Sequence, residues 1–103
     1  MTMDSNTLAW LQTWYSSRCD GTWEHAHGVK IETLDNPGWL VTVDVGNSLP
    51  CSILSEERND QDWINCKVMD RQFVGAGGPG NLVEILSILR SWLTESQPAP
   101  PPE

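Results

Sequence analysis

The stretch Val29-Lys30-Ile31-Glu32-Thr33-Leu34-Asp35-Asn36-Pro37-Gly38-Trp39-Leu40-Val41-Thr42-Val43-Asp44-Val45 decides the fold. Val29, Ile31 and Thr33 alternate with Lys30 and Glu32, and Trp39, Val41, Val43 and Val45 alternate with Leu40, Thr42 and Asp44. Successive side chains of a strand point to opposite faces, so this period of two predicts a β-hairpin with one apolar face per strand. Pro37 presets φ for the second position of a turn and Gly38 accepts a positive φ at the third, which predicts a type II connection.

Downstream, Gly46 to Gln61 contains Pro50 and the polar run Ser55-Glu56-Glu57-Arg58-Asn59-Asp60. It offers little apolar surface and reads as a long exposed loop. A second strand pair follows, with Ile64, Cys66 and Val68 on one face, Asp70-Arg71 near the turn and Gln72 to Val74 returning. From Asn81 to about Thr94, Leu82, Ile85, Leu86, Leu89, Trp92 and Leu93 form a broad apolar stripe at helical spacing. Asn81 is placed to cap that helix, with Glu84 three residues on to reach back.

Upstream, Leu8, Leu11 and Tyr15 recur at helical spacing from Asp4 to about Ser17, with Trp10 and Trp14 on a neighbouring stripe. Asp4 or Ser5 can cap this helix, and Asp20-Gly21 supplies the turn that stops it. The reading is an α+β fold of order α-β-β-β-β-α, with an about four-stranded, mainly antiparallel sheet between an N-terminal and a C-terminal helix. Residues 1–95 form a single domain, and residues 96–103 a Pro-rich flexible tail.

The chain has 103 residues, too few for two hydrophobic cores, and its 39% hydrophobic content with six tryptophans is enough to fill one. Fourteen acidic against six basic residues give a net charge of −8. That charge repels phosphate backbones and anionic bilayers, so neither nucleic acid nor a membrane is expected as a partner; a basic protein is. The N-terminus lacks a signal-peptide pattern and no segment reaches the roughly 20 apolar residues of a membrane span, so a cytoplasmic location is expected. Cys19, Cys51 and Cys66 are odd in number with no CxxC spacing, which predicts free thiols.

Gly75, Gly77 and Gly80 satisfy GxGxxG between a strand and a helix, the setting in which backbone amides approach a pyrophosphate. A dinucleotide fold needs a further parallel strand and an acidic residue roughly 20 positions on, yet here the chain runs into prolines. The glycines read instead as a tight strand-to-helix turn. His25 and His27, two apart, would share one side of an extended segment and could share a metal if a third ligand came near. No such ligand has the spacing, so no metal and no cofactor are expected. One of the three cysteines with a histidine base would make a thiol nucleophile, but Cys66 alternates like a core residue and Cys19 lies at the unfavourable end of a helix dipole. A small metal- or ligand-binding protein, or a thiol enzyme, using His25, His27 or a cysteine is the competing functional class.

Asp20, Glu24, Glu56, Glu57, Asp60 and Asp62 fall in the two least regular segments, where side chains are displayed rather than packed. Trp23 beside them has the character of an aromatic anchor.

Trp10-Leu11, Trp14-Tyr15, Cys19-Asp20-Gly21, Trp23-Glu24-His25 and the run from Gly28 to Trp39, followed by Asp62-Trp63-Ile64, Cys66, Phe73, Gly75-Ala76-Gly77-Gly78-Pro79 and Asn81-Leu82, together resemble the immunity protein 53 family. The resemblance covers most of the chain outside the middle loop and the tail. His27 departs from it, standing where an aromatic residue is expected before Gly28. The resemblance implies a bacterial immunity protein of a polymorphic toxin system, which binds its cognate toxin domain and performs no catalysis. On that basis the expected mode is stoichiometric occlusion, with Asp20, Trp23, Glu24, His25 and His27, and Glu56, Glu57, Asp60 and Asp62, as contact residues. A nuclease toxin, with its basic phosphate-binding groove, fits the charge. Oligomeric state is not set by the sequence.

Overall fold

The computed structural model describes residues 3–96, and the side chains among them except those of 3–5, 48, 95 and 96. Helix α1 spans Met3–Arg18 and a helical turn, α2, spans Trp23–Ala26. Five strands follow: β1 Val29–Leu34, β2 Gly38–Asp44, β3 Ser52–Asn59, β4 Asp62–Met69 and β5 Gln72–Gly77. Helix α3, Leu82–Ser96, comes last of the described elements. The strands make one sheet in the order β1-β2-β5-β4-β3, each pair antiparallel, so β5 is central and β1 and β3 are the edges.

The α+β architecture expected from the sequence holds, with five strands in place of four. The additional strand is β3, inside the segment read as a loop. Among the described residues it pairs only with β4, and beyond Leu54 every residue to Asn59 is exposed. An edge strand with little to bury needs no apolar alternation, and a row of charges is itself how edges are kept from pairing wrongly. Asp4 and Ser5, expected to cap α1, lie inside it, because the described helix already includes Met3; Ser96, expected in the tail of residues 96–103, ends α3, and residues 97–103 lie outside the described residues.

Val41 and Val43 of β2, Ile64, Cys66 and Val68 of β4, and Phe73 of β5 share one sheet face and meet Ile85, Leu86, Leu89 and Leu93 of α3. Phe73 is wholly buried, its ring edge-on to Trp92 at 5.8 Å. Truncating such a side chain to alanine costs about 3–5 kcal/mol. Helix α1 joins this layer by a different face from the one its Leu8-Leu11-Tyr15 spacing suggested. Thr7 and Leu11 are buried and Trp10 and Trp14 pack on the core, whereas Leu8 and Tyr15 are 59% and 38% exposed. Two tryptophans cover more apolar area than a leucine and a tyrosine, and they turn the helix about its axis.

The glycines of β5 explain how α3 comes so close. A Cβ at Gly75 would lie 2.5 Å from Cγ2 of Ile85, and one at Gly77 would lie 3.0 Å from its Cδ1. Gly75 and Gly77 of the GxGxxG pattern are thus accounted for by helix-on-strand packing, whereas a Cβ at Gly80 would meet open space. The hairpin turn also differs from the type II expectation. Its Asn36-Pro37 peptide is cis, Gly38 already pairs with Leu34, and its φ lies outside the positive range. Gly38 is needed because a Cβ there would strike the Gly77 carbonyl oxygen on the neighbouring strand. At the start of α3, the Asn81 side chain does not accept from the helix amides: its Nδ2 donates to Glu84 Oε1 at 2.9 Å and to Asp62 Oδ1 at 3.0 Å, and only its backbone carbonyl takes a helix N–H, that of Ile85 at 3.0 Å.

Candidate functional site

The segment from Asp20 to His27 folds on itself through exchanged hydrogen bonds. Asp20 Oδ1 accepts the N–H groups of Thr22 and Trp23, each at 2.9 Å, and the Glu24 carboxylate accepts those of Asp20 and Gly21 at 2.9–3.1 Å. The amides of Trp23 and Thr22 hold the Asp20 carboxyl below its ordinary range. Gly21, with φ of +94°, supplies the left-handed residue that the reversal after α1 requires.

Trp23 fixes this segment to α1. Its ring meets Trp14 edge-on at 6.0 Å, Tyr15 at 5.8 Å and His27 at 5.9 Å, while the Arg18 guanidinium lies 5.7 Å from the Trp14 ring and 5.9 Å from its own. It is half-buried in this cluster rather than freely displayed.

Beyond α2 the chain enters β1, and a cavity of about 650 Å³ opens between the segment and the sheet face that carries no helix. Glu24, His25, His27, Lys30, Glu32 and Asp44 are among its lining residues. Asp44 is its fixed point: Oδ2 accepts the Gly28 N–H at 2.9 Å and lies 3.6 Å from His27 Nδ1, while Oδ1 accepts from Gln72 Nε2 at 2.9 Å. Glu32 and Asp44 were not among the residues singled out from the sequence; their place in the hairpin alternation, on the polar face opposite Val41 and Val43, was the available signal. On the other side of β1, Leu8, Tyr15 and Val29 line an apolar groove of about 530 Å³.

Glu56, Glu57, Asp60 and Asp62 sit at the far edge of the sheet, on β3, β4 and the turn joining them. Four inter-strand steps separate β1 from β3, roughly 19 Å. The sequence-derived contact residues therefore form two groups that do not adjoin. In the far group Arg58 bridges Glu56 at 2.7 Å, Asp62 at 3.0 Å and Glu84 of α3 at 2.7 Å. Glu56 and Asp62 are thereby engaged in tying the β3–β4 hairpin to the helix layer.

His25 and His27 both line the cavity. No group of three or more metal-ligating side chains occurs among the described residues. Cys66 is wholly buried and its thiol is pushed up to about 12, by burial first and by Glu84 second, so it is a core residue without thiolate character. Cys19 and Cys51 are exposed, and Cys19 Sγ donates to the Tyr15 carbonyl at 3.3 Å. No described helix is long and apolar enough to cross a membrane.

The fold and site define a two-layer α+β domain, both long helices on one sheet face, with an acid-lined cavity beside an edge strand. Its sequence is matched over residues 8–94 by the family model for immunity protein 53, and the chain belongs to that family. Membership gives it the role of an immunity protein. No curated protein and no solved structure gives a significant match.

Proposed function

We propose that this chain binds a cognate bacterial toxin domain of a polymorphic toxin system and neutralises it by stoichiometric occlusion, in the cytoplasm of the cell that makes the toxin. Family membership supports the role. The observation that carries the contact surface is the cavity beside α2, whose lining includes the carboxylates Glu24, Glu32 and Asp44 together with Lys30. Asp20, Trp23, Glu24, His25 and His27 contact the toxin there, while Glu57 and Asp60 add long-range attraction from the far edge. A basic toxin surface matches this charge, and a nuclease, whose phosphate-binding groove must be basic, is the toxin class it fits best. The chain acts by covering the toxin and catalyses nothing itself.

The test is the binding kinetics of the toxin domain encoded beside this gene. Glu24→Gln keeps the acceptor that closes the Asp20–Glu24 turn and removes only its charge. Combined with Glu32→Gln, it is expected to lower the association rate several-fold and flatten its salt dependence, with little change in dissociation. Glu57→Gln with Asp60→Asn is expected to do less. Equal effects of the two pairs would remove the cavity as contact surface.

A further inference from the structure

The two sheet edges are not equivalent. Strand β3 carries Glu56, Glu57 and Arg58 and breaks register between Glu57 and Asn59, the combination of charge and bulge that closes an edge to pairing. Strand β1 keeps an unbroken register with β2 from Val29 to Leu34 and contains neither proline nor bulge. Among the described residues its only ladder partner is β2.

The ladder fixes which backbone groups of β1 are free. Asp44 N–H donates to Gly28 O at 3.1 Å, which marks Gly28 and Asp44 as a hydrogen-bonded pair. In antiparallel pairing such pairs alternate along the strand, so Lys30 and Glu32 bond to β2. The N–H and C=O groups of Val29, Ile31 and Thr33 then point outward from the edge.

Both flanks of that edge are built to receive side chains. On the helix side, Ile31 is 40% exposed, and the groove lined by Leu8 and Tyr15 opens against Val29. On the other side, Lys30 and Glu32 border the cavity that holds Glu24 and Asp44. A strand added here would place every second residue against the apolar groove and the intervening residues against the carboxylates.

We infer that β1 is a strand-addition edge: the toxin supplies an extended segment of alternating apolar and basic residues that pairs with Val29–Leu34. This rests on the reading above that the partner is a toxin protein. The occupant is a basic partner rather than a second copy of this chain, because each copy would bring a net charge of −8 and the same acidic lining.

Amide hydrogen exchange on the full chain, alone and with the toxin domain encoded beside the gene, tests this directly. The outward amides of Ile31 and Thr33 are expected to exchange freely in the unbound protein and to slow roughly 100-fold or more in the complex. Thr33→Pro removes one outward N–H at a position where an edge strand tolerates proline. It should weaken binding roughly 10–100-fold, while Thr33→Ala, which trims the side chain but keeps the N–H, should weaken it several-fold less than the proline does. A complex of wild-type affinity whose Ile31 and Thr33 amides exchange as in the free protein overturns the proposal, whether or not the proline variant folds. Protection of those amides without toxin, rising with protein concentration, assigns the edge to a second copy and overturns it also. Failure of the wild-type chain to bind the toxin at all removes the reading beneath it.

Discussion

Gly28 donates its backbone N–H to Asp44 Oδ2 at 2.9 Å, so a side chain of β2 completes the ladder where β1 begins. With Gln72 Nε2 on Oδ1, the carboxylate joins the entrance of β1 to the central strand. Burial is the largest single influence on Asp44 and raises its pKa, but the Gln72 amide, the Gly28 N–H and His27 together outweigh it and hold the carboxyl below its ordinary value of 3.8. A pKa lower folded than unfolded means that ionisation stabilises the fold. That contribution is complete above the unfolded value and is lost as pH falls through the folded one.

Asp44→Asn retains one acceptor and turns a donor towards the other N–H. It is expected to cost about 1 kcal/mol at neutral pH. Urea unfolding along a descending pH series checks the sign: the gap between wild type and variant should close below pH 3.8, the ordinary carboxylate value. A gap that persists in acid would mean that the carboxylate charge is not what stabilises this junction.

Gly75→Ala forces a methyl to within 2.5 Å of Ile85 Cγ2 and 2.9 Å of the Phe73 ring. Overpacking of this kind costs about 1–3 kcal/mol. Ile85→Ala alone should cost about 2–5 kcal/mol through the cavity it leaves. The double variant is expected to lose clearly less than the two together, because the new methyl enters the vacated space. Thermal or urea unfolding of the four proteins completes the cycle, and simple additivity would disprove the contact.

Where burial is one-sided, the sequence spoke plainly. Val41 and Val43 alternate because β2 has a helix layer above and an open face below, and Leu82 to Leu93 repeats because α3 lies along that layer. Where burial is slight or aromatic, it misled. β3 has almost nothing to bury, so its run of charges resembled a loop, and on α1 the stripe Leu8-Leu11-Tyr15 competed with Trp10 and Trp14 and lost to the larger rings. Gly38 looked like a turn residue because a turn adjoins it, whereas a close approach by Gly77 is what demands it. Asp20, Glu24, His25 and His27 were legible as a displayed segment, but Trp23 among them was not legible as the packed ring it is, because its partners Trp14 and Tyr15 lie on α1. Their neighbours Glu32 and Asp44 were not, because only the sheet brings them alongside. The same topology separates the second acidic group from the first.

Arg58 joins the β3–β4 hairpin to α3, with its Nη2 2.7 Å from Glu84 Oε1. Hydrogen bonding to Glu84 and Asp62 raises the guanidinium pKa, so the cation is present wherever its carboxylate partners ionise. Arg58→Met leaves Glu56, Asp62 and Glu84 without their shared cation. The expected result is a small loss of stability, below that of Gly75→Ala, that shrinks as salt screens the carboxylates from one another. Unfolding midpoints at low and high salt measure it. Toxin dissociation should stay near wild type, since this network lies at the sheet edge away from the cavity, while the more negative edge should raise the association rate slightly.

Trp23→Ala separates the folding role of the Asp20–His27 segment from its binding role. The indole packs on Trp14, Tyr15 and His27 and under Arg18, outside the core cluster, so α3 and the sheet keep their contacts without it. Each aromatic contact is worth about 0.5–1.5 kcal/mol, so the three together set a global loss of about 1.5–4.5 kcal/mol, expected near the lower end because the ring is only half-buried. The segment itself, held otherwise by exposed hydrogen bonds, loses its attachment to α1. Toxin binding must then bear the cost of ordering it again, so affinity should fall further than global stability does, and Trp23→Phe should restore part of both. Calorimetric unfolding and toxin affinity on the same samples decide the matter: a variant that loses stability and binds with unchanged affinity shows the segment to be structural, and the contact surface must then be sought elsewhere on the domain.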